Sequence, residues 1–151
     1  MARSYSVFAD NIAAQNSATV PQAQIVSAAT VRPRLYDLML GSPSTPADQA
    51  ASWVIKRSST ASTGGTAVTP SPIDPADPPS LSAAMVAPSM SAPTLGVVLL
   101  QWAQNLRATF RWVAAPGKEL VAPATAANGL TLLNPVLTGA FNVSFSLEFE
   151  E

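Results

Sequence analysis

The most regular pattern in this 151-residue chain lies near its C-terminal end. There Phe141, Val143, Phe145, Leu147 and Phe149 alternate with Asn142, Ser144, Ser146, Glu148 and Glu150. A period of two puts the apolar side chains on one face and the polar ones on the other, which predicts a half-buried strand whose five apolar residues belong to the core. The same period runs through Arg34 to Leu40, placing Tyr36, Leu38 and Leu40 opposite Leu35, Asp37 and Met39. Gly41 and the turn cluster SPSTP end that segment. Ser52 to Ser58 reads as a further strand with Trp53 and Ile55 on one side and Val54 and Lys56 on the other. Ser4 to Phe8, Gln24 to Thr30 and Leu130 to Leu133 are weaker candidates.

Between Leu95 and Val113 two periods compete. Leu95, Val98, Leu99, Trp102, Leu106, Phe110 and Val113 would line one face of a helix. Gly96 falls in what would be its first turn, and no capping pattern beyond Thr94 marks a start. The alternative is two strands, Gly96 to Ala103 and Arg107 to Val113, and it is the reading adopted. Seven or so short strands separated by Pro, Gly, Ser and Asn clusters predict an all-β fold, an antiparallel β-sandwich or jelly roll, in a single domain spanning residues 1–151.

Seven of the fourteen prolines fall between Pro70 and Pro93, within the run GGTAVTPSPIDPADPPS and just after it. Proline fixes φ and removes a backbone donor, so this stretch is expected to be neither helix nor central strand. Residues 62–94 are read as a Pro-rich extended arm or loop inserted in the domain. Gly64 and Gly65 form its hinge, and Pro70, Pro72, Ile73, Pro75, Pro78 and Pro79 are the candidate partner-contact residues. A disordered linker is the other reading that the composition allows.

Charge changes the picture. Only 11% of the residues are charged and the net charge is −1, against about 25% charged in ordinary soluble proteins. A surface this poor in ions and rich in Ala, Ser and Thr suggests burial against other protein, and a homotrimer is the expected form. The balance also argues against nucleic acid as a partner. Prolines and glycines interrupt both long uncharged stretches, so no membrane span is expected. The N-terminal residues lack an apolar run of signal-peptide length, which points to synthesis in the cytoplasm.

Candidate chemistry is sparse. The chain has no histidine and no cysteine, which removes the commonest general base, zinc and thiol chemistry, and disulfides. The carboxylates are scattered: Asp74 and Asp77 sit among prolines, where Asp serves turns, and Glu148, Glu150 and Glu151 close the sequence. No phosphate-loop pattern accompanies Gly64-Gly65. Arg32 and Arg34 flank Pro33 at the start of a strand, and Arg107 and Arg111 are expected on one face of another. Trp53, Trp102 and Trp112 are candidates for core or interface. No catalytic, cofactor or metal site and no small-molecule substrate is expected.

The segments RPRLYDLMLGS, SWVIKRSSTASTGGTAVTPSPIDPADPPS and LLQWAQNLRATFRWVAAPGKELVAP, with a final strand ending LEFEE, together resemble small virion proteins of tailed bacteriophages: β-sandwich capsid decoration or cement proteins. The resemblance is one of layout and covers most of the chain. It implies a non-enzymatic role, a place in the virion, and contacts with further copies and with the major capsid protein. A tail or head-fibre-base component, a secreted adhesin-like module and a carbohydrate-binding β-sandwich remain as alternatives.

Overall fold

The computed structural model describes residues 2–135 and 139–151, and every regular element among them is a β-strand. In chain order these are β1 (Ser4–Ala13), β2 (Ala23–Val26), β3 (Arg34–Gly41), β4 (Ala50–Ser58), β5 (Gly64–Val68), β6 (Ser71–Pro72), β7 (Ala83–Met90), β8 (Leu95–Asn105), β9 (Phe110–Val113), β10 (Leu120–Val121), β11 (Gly129–Leu133) and β12 (Asn142–Glu150). They form two six-stranded sheets. The first runs β10-β3-β12-β1-β6, with β9 also on β3; the second runs β5-β7-β2-β11-β4-β8. All pairings are antiparallel. The chain is an all-β antiparallel sandwich, as its alternating pattern predicts.

One core lies between the sheets. Tyr5, Leu35, Leu38, Leu40 and Phe149 enter it from the first sheet, and Ile25, Trp53, Ile55 and Leu132 from the second, each at most 1% exposed. Burying a side chain of this size contributes about 1.5–3 kcal/mol. The final strand behaves as its pattern demands: Phe141, Val143, Phe145, Leu147 and Phe149 are all buried, and the polar residues between them are half-buried. Phe141 meets Trp53 edge-on at 6.3 Å, and Phe149 stacks on Tyr5 at 5.7 Å.

The β3 faces depart from strict alternation. Phe149 pairs with Leu35 and Glu148 with Asp37, which leaves Tyr36 as the extra residue of a bulge. Leu35 therefore joins Leu38 and Leu40 in the core, while Tyr36 turns its hydroxyl to Glu148 and donates to Oε2 at 3.2 Å. The helical reading of Leu95 to Val113 fails as expected. Asn105 closes a turn by accepting from the backbone N–H of Arg107 on its side chain and of Ala108 on its carbonyl, both at 2.9 Å.

Residues 62–94 differ most from expectation. They contribute three strands, and β7 is an interior one, between β5 and β2. The prolines permit this because the stretch of β7 that pairs with β2, Ala83–Val86, contains none; Pro88 falls at the register shift of the β5–β7 ladder, between Val86 and Met90, and Pro72 lies on the two-residue outer strand β6. Gly64 and Gly65 are close approaches rather than a hinge. Both have left-handed φ, +74° and +64°, and a Cβ on Gly64 would lie 2.1 Å from the Ser89 carbonyl oxygen. The loop before them is pinned by Gln24, fully buried on β2. Its Oε1 accepts from Ser62 N–H at 2.7 Å, and its Nε2 donates to Ser58 Oγ at 2.8 Å and to the Thr60 carbonyl at 3.0 Å.

Candidate functional site

The charged side chains are spent largely on one another. On the outer face of the first sheet, Arg111 of β9 grips Asp37 of β3 through Nε and Nη2, the shorter contact being 2.6 Å. These bonds to Asp37 raise the guanidinium pKa further. Arg34 pairs with Glu119 at 3.2 Å. The Pro116 to Glu119 turn closes on itself, Gly117 N–H donating to Glu119 Oε1 at 2.9 Å. These backbone donors, and then Arg34, hold the Glu119 carboxyl below the ordinary range. Asp74 makes the turn expected of it, accepting from Ala76 N–H at 2.9 Å. Among the described residues no three acidic side chains converge as a metal site would require. Arg107 and Arg111 do not share a strand face: Arg107 lies in the turn after β8, beside Asp48.

Beside the Arg111–Asp37 pair the same outer face turns apolar. Strand β12 presents only Ser144 and Ser146 there, and it runs between β1 and β3, which carry Phe8 and Met39. Small residues flanked by large ones make a trough of about 440 Å³, closed at one end by Pro43 and Thr109. Phe8 is 59% exposed and Met39 47%. No charged residue lines the trough.

A second apolar surface lies along one lateral side of the sandwich, where β8 and β9 meet. Trp102 of β8 stacks on Phe110 of β9, with ring centres 4.5 Å apart and planes 12° apart. Trp112 packs beside the same core, and Val97, Val98 and Val113 are exposed. Trp53, by contrast, is entirely internal.

The surface on which the Pro-rich run lies is its own domain. Tyr5 donates its hydroxyl to the Pro78 carbonyl at 3.0 Å, and burial raises that hydroxyl's pKa, followed by the nearby Glu151 carboxylate. Ile73 N–H donates to the Ser4 carbonyl at 2.9 Å. Glu151 accepts from Ser80 Oγ and from the backbone N–H groups of Leu81 and Ser82. Pro70 is buried and Pro72 half-buried, while Ile73, Pro75, Pro78 and Pro79 keep an exposed side. The trough escaped the sequence reading because its walls come from β1 and β3, far apart in the chain. The local signals were single apolar residues on outward faces, Phe8 in line with Ser4 and Ser6 on β1 and Met39 in line with Asp37 on β3. Comparison with family models, curated proteins and solved structures gives no match to the chain.

Proposed function

We propose that the chain is a non-enzymatic structural protein of a tailed-bacteriophage particle, a small sandwich that decorates or cements the capsid through contacts with further copies and with the major capsid protein. The trough between Phe8 and Met39 carries this reading. A freestanding surface gains nothing from two large apolar side chains held apart over serines, whereas such a trough can seat an apolar segment of another protein. The scarcity of ions elsewhere and the layout resemblance support it. The strand pairings fit as well: β1 with β12, β12 with β3, β3 with β9, β2 with β11, β11 with β4 and β4 with β8. We read those eight strands as the winding of a jelly roll and residues 59–94 as an insertion between β4 and β8.

The experiment is cosedimentation with mature capsid shells that lack the protein. The parent chain should bind and raise the shells' resistance to heat, with little change between low and high salt because few ions take part. Phe8→Ser/Met39→Ser should weaken binding by more than about tenfold, the loss of two anchoring side chains, with the melting temperature near that of the parent. Absence of affinity for shells at any stage of maturation, or undiminished binding by the double variant, refutes the reading.

A further inference from the structure

The two lateral sides of the sandwich are finished differently. On the side of β1 and β2, residues 59–94 close the edges: β7 pairs with β2, β5 with β7, and β6 with Tyr5 and Ser6 of β1. The strands left outermost there are blunt. β5 has five residues, begins with two left-handed glycines and a register shift, and is soon followed by Pro70; β6 has two residues, one of them Pro72. Short length, proline and bulges are the devices by which a sheet edge is kept from pairing with another chain.

The β8 edge is neither short nor broken by proline, and its bulges are confined to one half. It is 11 residues long, contains no proline and no charged residue, and among the described residues pairs on one side only, with β4. Its register shifts fall in the first half, while Leu100 to Asn105 pairs with Ile55 to Ala50 without interruption. Along that regular half Gln101, Ala103 and Asn105 are exposed on one face, and on the other the Trp102 ring remains half-exposed.

We propose that β8 is a self-association edge, at which two copies pair antiparallel across a two-fold axis centred on Trp102 and join their six-stranded sheets into one. A strand that pairs antiparallel with itself does so about one residue. Centring on Trp102 uses the regular half of β8: Trp102 faces its counterpart, Gln101 faces Ala103, and Leu100 faces Gln104. No pair carries a charge, so the two-fold creates no like-charge opposition. The edge also offers no ion to attract a charged strand, which makes a second copy its natural complement. The Trp102 pair covers the aromatic surface that each chain leaves exposed. An isologous contact of this kind closes at two chains, where composition alone suggested three. The edge is distinct from the trough, so failure of this pairing leaves the shell-binding reading to be decided by its own experiment.

Light scattering behind size exclusion tests the pairing. The parent should run at twice the chain mass, and Ala103→Lys, a lysine placed on the open edge, should raise the dissociation constant by more than about tenfold while keeping the parent's circular dichroism spectrum. The register is read by cysteines, which the chain otherwise lacks. Opposed residues lie within disulfide reach, so oxidising a mixture of Gln101→Cys and Ala103→Cys should give a covalent dimer, and either variant alone should give far less. A parent that is monomeric at about 100 μM overturns the proposal. So does a three-chain species indifferent to Ala103→Lys, or equal cross-linking by the single variants.

Discussion

Gln24 is the residue on which the second sheet's outer face depends most. Its side chain is fully buried and makes three hydrogen bonds to residues between Ser58 and Ser62, so truncation strands both the Thr60 carbonyl and the Ser62 N–H. Each buried group left without a partner costs about 1–3 kcal/mol. Gln24→Ala should lower the urea midpoint accordingly and speed amide exchange at Ser62. Glu119 makes the contrasting case of a half-buried ion held by geometry. Its carboxyl is kept acidic by backbone donors in its own turn and by Arg34. A carboxyl whose folded value is depressed stabilises above the unfolded value, and the contribution is lost as pH falls through the folded one. The amide shifts of Gly117 and Lys118 should thus titrate with a midpoint below that of an ordinary glutamate; in Glu119→Gln they should not titrate there. Neither role is visible in sequence. A glutamine in a short polar-apolar run looks the same whether it points to water or into a packed face, and nothing near Pro116 to Glu119 in the chain reveals the Arg34 partner.

At the scale of elements, β12 was legible because five consecutive alternations leave only one way to lay the strand down. That assignment can be tested directly. Phe145→Ala should cost about 3–5 kcal/mol, while Ser146→Ala, on the outward face, should stay within about 0.5 kcal/mol; comparable losses in the two chemical denaturation curves would reverse the faces. Strand β3 was legible in extent but not in facing, because its bulge is set by pairing with β12 and a single strand's sequence does not display its partner's register. Strand β7 was missed altogether. Its core residues Ala84 and Val86 alternate with Ala83 and Met85, a weak contrast, and the neighbouring prolines drew attention from a paired stretch that contains none. The trough and the open edge share this difficulty: both are made by strands that become neighbours only through long-range pairing.

For the molecule as a whole, the order of pairing matters as much as the pairs. Strand β12 runs between β1 and β3, so the first sheet has no centre until the residues from Asn142 onward take their place. Until then β1 and β3 each lack their main neighbour and expose backbone that any other chain can use. Partners such as Tyr5 and Phe149 stand at opposite ends of the sequence, and folds dominated by such distant contacts form in milliseconds to seconds rather than microseconds. During synthesis the wait is longer still, since the stretch that completes the sheet is made long after β1 and β3. The feature that gives the folded protein its core therefore sets a kinetic vulnerability: the chain whose β12 has not yet inserted is its most association-prone form, and productive folding has to outrun encounters with its neighbours in that interval.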